Sequence, residues 1–123
     1  EFDIEGTVEI SSAHRHPEKT KELASRAEAK GIDIIIAMAG LSAALPGVVA
    51  AHSNLPVIGV PLPAALGGMD SLLSISQMPP GIPVATMAIG IPGAKNAAIF
   101  AARILALKYP SVKVALGKHR NSL

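Results

Sequence analysis

The chain has no cysteine and no tryptophan, and its 123 residues include one tyrosine and two phenylalanines. Without cysteine there are no disulfides and no thiolate metal centres. Without aromatics there is almost nothing for bases to stack on, which argues against a nucleic-acid partner. Charge is scarce too. Eleven Lys and Arg against nine Asp and Glu leave a modest formal net charge of +2, and between Asp33 and Lys95 the only charged residue is Asp70, counting histidine as neutral. The uncharged run Ile34–Ala51 is broken by Gly40, Pro46 and Gly47 and abutted by Asp33, so it does not read as a membrane span. A single small domain does not easily hide so much uncharged chain. A buried parallel strand followed by a helix packed in a subunit interface is the expected explanation.

What remains is aliphatic. Half the residues are apolar but only 2% are aromatic, so the core is built from Ala, Ile, Leu, Val and Met. The length corresponds to one domain over residues 1–123, with no room for a second. No signal peptide or low-complexity tract is visible at the amino end, and the expected compartment is the cytoplasm.

Periodicity predicts alternating elements. Thr7–Ser11 alternates weakly and reads as a strand. Pro17 and Glu18 then suit a helix start, with Thr20, Leu23, Ala24 and Ala27 on one face and a Glu22–Arg26 pair on the other. Gly31 is a natural stop. Ile32–Met38, rich in β-branched residues and apolar apart from Asp33, is typical of a strand covered on both faces. A helix is expected over Ser42–Ala51, a strand over Val57–Val60, a loop from Pro61 to Gly67, a helix over Met69–Gln77 capped by Asp70, and a strand over Val84–Ala88. From about Ala94 an apolar stripe through Ala97, Phe100, Ala101, Ile104 and Leu105 marks another helix, started near Asn96 and ended by Pro110. The tail 111–123 is expected to add a turn or two or to fray. Strands alternating with helices across short loops predict an α/β fold with a parallel sheet, right-handed crossovers and helices on both faces.

Chemistry concentrates in Ser11-Ser12-Ala13-His14-Arg15, at the end of the first expected strand, where open α/β sheets collect ligands. An imidazole changes charge near neutral pH and a guanidinium is a permanent forked donor, so His14 and Arg15 suit proton transfer beside a bound anion. On their own the two also fit an ordinary solvent-facing pair before a helix. Ala39-Gly40-Leu41 lies where a strand turns into a helix, a place where backbone N–H groups meet carboxylates, although close packing explains a bare glycine turn equally well. His52 and His119 have no companions at metal-ligand spacing, and His16 joins His14 in a metal site only with a third ligand, which is not apparent. No metal is expected. Met38, Met69, Met78 and Met87 read as core or interface filler.

Four blocks in order carry a resemblance: Ser12-Ala13-His14-Arg15; Ala39-Gly40-Leu41-Ser42-Ala43-Ala44-Leu45-Pro46-Gly47; Gly68-Met69-Asp70-Ser71-Leu72 with Gln77-Met78-Pro79-Pro80-Gly81-Ile82-Pro83-Val84-Ala85-Thr86; and Lys95-Asn96-Ala97-Ala98. From about Ile4 to about Tyr109 the chain resembles the PurE family of purine biosynthesis, the carboxyaminoimidazole ribonucleotide mutases and their carboxylase relatives. The resemblance implies a three-layer flavodoxin-like (Rossmann-like) fold, a homo-octamer, and a cofactor-free mutase that moves a carboxylate from N5 to C4 of the imidazole ribonucleotide through held CO2. It implies that His14 handles the C4 proton and that Arg15 grips the nucleotide phosphate. Ser12, Ala13, Ala39, Gly40, Leu41 and Leu45 would line the substrate pocket. Two departures stand out. Mutases of the family usually carry His where this chain has Ala44, which leaves a CO2-dependent carboxylase as the alternative activity. The family's opening strand and Met-Gly-Ser-x-Ser-Asp phosphate loop have no counterpart here, so a truncated amino end is expected. A non-catalytic PurE-like oligomeric domain is the third possibility that these departures leave open.

Overall fold

The computed structural model describes all residues 1–123. Three parallel strands, β1 (Ile35–Ala39), β2 (Val57–Pro61) and β3 (Ala85–Thr86), form one sheet in that order. Ile35 stands opposite Val57 and Ala39 opposite Pro61, while Ile58 and Gly59 face Ala85 and Thr86. Central β2 is buried along its whole length, as a strand covered on both faces must be. Around the sheet lie α1 (Pro17–Arg26), α2 (Leu45–Ala51), α3 (Met69–Ser76), α4 (Ile91–Leu105) and α5 (Pro110–Asn121).

Two apolar clusters define the layers. Ala24, Ala37, Val49 and Val57 meet on the face covered by α1 and α2. Ile58, Val60, Ala97 and Ala101 meet on the face covered by α4. The arrangement is the three-layer, flavodoxin-like α/β fold expected. Small side chains let helices approach the sheet closely, and the few large ones, chiefly Ile58 and Ile75, are sealed almost completely, each contributing roughly 1.5–3 kcal/mol of burial.

Local chemistry accounts for the element ends. In α1, Pro17 occupies the first turn with Glu18 beside it. Thr20, Ala24 and Ala27 are buried, and Arg26 pairs with Glu22 at 2.8 Å on the exposed side. A 3-10 turn, Glu28–Lys30, continues to Gly31, whose φ of 81° is left-handed, a conformation glycine adopts without strain. No helix is long and apolar enough to cross a membrane.

Several expectations are corrected. Thr7–Ser11 is not a strand. Val8 and Ile10 are 93% and 87% exposed, because a β-prone run becomes a strand only where a neighbour satisfies its backbone groups, and none pairs with it. The strands themselves shift, to Ile35–Ala39 in place of Ile32–Met38 and to the two residues Ala85–Thr86 in place of Val84–Ala88. Helix α2 starts at Leu45 rather than Ser42, since Leu41 adopts a φ of 57° and the Ala43 N–H donates to the Leu41 carbonyl at 2.8 Å, a tight turn that precedes the helix. Helix α4 starts at Ile91, so Asn96 lies exposed inside it rather than at its start. Asp70 does not cap α3. Gly68 is the N-cap residue and Asp70 lies inside the first turn, with Oδ1 buried and accepting from no N–H. Separately, the Ser71 hydroxyl donates to both the Gly68 and Leu62 carbonyls at 2.9 Å. Helix α4 ends at Leu105 and Pro110 opens α5, as suits a residue pre-shaped for a first helical turn. The tail is therefore a full helix packed on α4.

The turn between α4 and α5 is tied back to the sheet. Lys108 Nζ and the Tyr109 hydroxyl each reach an Asp33 carboxylate oxygen at 2.8 Å. These two hydrogen bonds, the Lys108 one first, hold the Asp33 carboxyl below its ordinary range, and the same contact with Asp33 pushes the Lys108 ammonium up.

Candidate active site

In a parallel α/β unit the loops that follow the strands emerge at one edge, the carboxyl edge, and the helices run back against the strands. Helix α1 leads into β1 and packs beside α2, so its amino end and that of α2 share this edge. Backbone bonds tie the loop starts together there. The Leu62 N–H donates to the Ala39 carbonyl at 2.9 Å and the Gly90 N–H to the Pro61 carbonyl at 2.8 Å. A Cβ at Gly40 would stand 3.3 Å from the Leu62 carbonyl oxygen, and one at Gly68 would meet Ile89 and Pro63. Glycine at these points lets the three loops lie against one another.

The first site segment is a hydrogen-bonded turn. His16 N–H donates to the Ser12 carbonyl at 2.8 Å and Arg15 N–H to Ser12 Oγ at 3.3 Å. The turn projects His14 and Arg15 as exposed residues, while Ser12 and Ala13 are half-buried. Both long side chains are free of ion pairs within the chain. A guanidinium one turn ahead of a helix amino end is slightly disfavoured there, and an anion bound nearby would reverse the sign.

The second segment runs from Ala39 to Leu45. Leu41 is a non-glycine residue with a left-handed φ of 57° and is 60% exposed. Such strain concentrates at functional turns. The N–H groups of Gly40, Leu41, Ser42 and Ala44 donate to no backbone carbonyl, so they are free to meet a ligand. Leu45 behaves differently, because its side chain packs against the Ala24–Val57 core, which leaves only its backbone at the loop. The remaining histidines stand apart. His52 caps the carboxyl end of α2, at the opposite edge, and the His119 ring packs edge-on against Phe2.

Two features of this edge are hard to read from the sequence. The first is the backbone strain at Leu41, itself an expected pocket residue, because a left-handed leucine looks like any other leucine in a sequence. The second is Ser71, whose fully buried hydroxyl fastens the Leu62–Gly68 loop; the Gly67-Gly68 pair ahead of it was the available hint.

Fold and edge together define a three-layer, flavodoxin-like α/β domain whose loops gather at the carboxyl ends of its strands, the edge where open α/β sheets bind ligands. Comparison with known proteins makes this specific. The family model described as AIR carboxylase matches residues 1–123. The N5-carboxyaminoimidazole ribonucleotide mutase of Pyrococcus abyssi is 55% identical over 124 residues, spanning 100% of this chain and 70% of that protein. The mutase of Methanocaldococcus jannaschii is 50% identical over 123 residues, spanning 100% of this chain and 75% of that one. Among solved structures, Treponema denticola PurE superposes with a TM-score of 0.83 at 31% identity, covering 98% of this chain and 75% of that one. The chain belongs to the AIR carboxylase (PurE) family.

Proposed function

We propose that the chain is an N5-carboxyaminoimidazole ribonucleotide mutase of purine biosynthesis. The observation that carries this reading is identity of 50–55% over the full chain to proteins named for that activity. The carbamate C–N bond of the substrate breaks, N5 takes up a proton and CO2 is released into the site. The C4 carbon, nucleophilic because it is part of an enamine, attacks that CO2, and the proton on C4 then leaves. A single imidazole that lends a proton to N5 and recovers one from C4 balances the cycle without any cofactor. His14 is assigned that role, and Arg15 the phosphate, to which a guanidinium makes paired charge-assisted bonds. Ser12 and Ala13 line the pocket. The Ala39–Leu41 backbone, with its unpaired N–H groups, suits a carboxylate, and Leu45 contributes at most its backbone.

Ala44 favours a second reading, direct carboxylation of aminoimidazole ribonucleotide by CO2. One assay separates the two. The mutase reading predicts that the N5-carboxylated nucleotide gives the C4 carboxylate without added bicarbonate. Strict dependence on bicarbonate would assign the carboxylase activity instead, and activity with neither substrate would leave a non-catalytic domain.

The same reading includes a homo-octamer. For a chain of 12.5 kDa the accessible surface expected of a compact monomer is about 6,200 Å², yet the single chain exposes 7908 Å². Leu41, Leu66, Met69, Leu73 and Ile91 are each more than half exposed in the uncharged middle, an apolar surface that a neighbouring subunit would cover. Such cover would also keep water from the CO2 site. Sedimentation velocity on the purified chain is expected to show one large species, and a monomer at micromolar concentration would refute the assembly.

A further inference from the structure

Threonine is an odd residue for the buried face of α1. Its companions there are Ala24 and Ala27, and Thr20 is 1% exposed. A hydroxyl sealed from water is costly unless it is bonded, and mid-helix threonine otherwise has little to recommend it. The Thr20 hydroxyl is bonded on both sides. Oγ1 donates to the His16 carbonyl at 3.2 Å and stands 2.7 Å from Ser11 Oγ. Since its own proton goes to His16, the Ser11 hydroxyl is the donor in that second bond. The chain Ser11–Thr20–His16 thus grips the Ser12–Arg15 turn at both of its ends. Lys19 adds a neighbouring tie, Nζ to the Ile10 carbonyl at 2.7 Å. The segment ahead of the turn has no strand partner to fix it, so within this chain its placement depends on these side-chain bonds.

We infer that Thr20 is a positioning residue which, through Ser11, holds the turn that carries His14 in its working shape. The inference rests on the proton-transfer reading of His14, because a turn needs accurate placement only if it delivers a reacting group. It concerns the hydroxyl and not the volume, so the isosteric Thr20→Val removes the bond and keeps the packing, while Thr20→Ser keeps the bond and gives up a methyl.

The test measures kcat and KM of the full chain with the N5-carboxylated nucleotide, alongside circular dichroism. Thr20→Val is expected to lower kcat about tenfold, in keeping with the sensitivity of catalysis to misplacements below 1 Å, and Thr20→Ser to restore it to within about twofold. Ser11→Ala, at a half-buried loop position with no core packing to lose, is expected to give the same fall, and the double variant no further one. In a His14→Asn background, Thr20→Val is expected to change the residual kcat by less than about twofold, which a general structural defect would not respect. Full kcat in Thr20→Val or in Ser11→Ala, or a Thr20→Ser variant as slow as Thr20→Val, overturns the inference. Full kcat in His14→Asn alone overturns the proton-transfer reading instead, so the two failures are told apart.

Discussion

His14→Asn is expected to lower kcat by about 10²–10⁴-fold, the usual contribution of one positioned acid–base group, while leaving nucleotide affinity within a few-fold. Asparagine keeps a polar side chain of similar reach but cannot take up and release a proton. His14 is exposed, on the turn closed by the Ser12 carbonyl and hydroxyl, so the change removes no core packing and should leave the thermal midpoint nearly unmoved. Steady-state kinetics with isothermal titration of the nucleotide checks both halves. A loss of binding equal to the loss of turnover would mean that His14 holds the substrate rather than moving its proton.

The second large effect is on stability. Gly93→Ala is expected to cost upwards of about 3 kcal/mol, the top of the range for overpacking and a large share of a small domain's total stability. Gly93 lies buried in the first turn of α4, where a Cβ would overlap the backbone carbonyl of Ala88. That carbonyl cannot easily withdraw. On either side of it the chain is fixed to β2, with Met87 N–H on the Gly59 carbonyl at 2.9 Å and Gly90 N–H on the Pro61 carbonyl at 2.8 Å. Gly117→Ala is the matching contrast. It is an exposed glycine inside α5 with nothing within 4 Å of the added carbon, so the change should be neutral or stabilising by up to about 1 kcal/mol. Urea unfolding of both variants measures the pair. Equal midpoints would show that the α4 entry yields more readily than its backbone bonds suggest.

How far each level could be read from the residues follows from where its determinants lie. The β-branched runs at Ile34–Ile36 and Val57–Val60, and the helical spacing of Thr20, Ala24 and Ala27, report local burial, and they place the layers correctly. Pairing is not local. Thr7–Ile10 has strand-forming side chains, yet whether it joins a sheet depends on a neighbour that no feature of the segment encodes. The element ends at Leu45, Ile91 and Pro110 were set by turn conformations, chiefly the left-handed Leu41 and the Pro110 start of α5, that compete with hydrophobic periodicity and override it. Asp70 has the side chain of a cap, but the left-handed Gly68 starts α3 two residues earlier and puts Asp70 inside the first turn, where its carboxylate is past the capping position. At the site, His14 and Arg15 stand out because an imidazole beside a guanidinium suits proton transfer next to an anion and because the ordered blocks resemble the PurE family. The strand expected ahead of them is absent. The bond between Ser11 and Thr20 is not legible, since a hydroxyl on a helix face gives no sign of being bonded until its partner's place is known.

Deuterium uptake at C4 tests the central claim most directly. The C4-carboxylated nucleotide would be incubated in D2O with the chain, and the label at C4 of the decarboxylated nucleotide followed by NMR against an enzyme-free control. Running in reverse, the wild-type chain should deliver deuterium to that carbon well above the control rate, and His14→Asn, still able to bind nucleotide, should not. Label arriving as fast with asparagine at position 14 as with histidine would contradict the account.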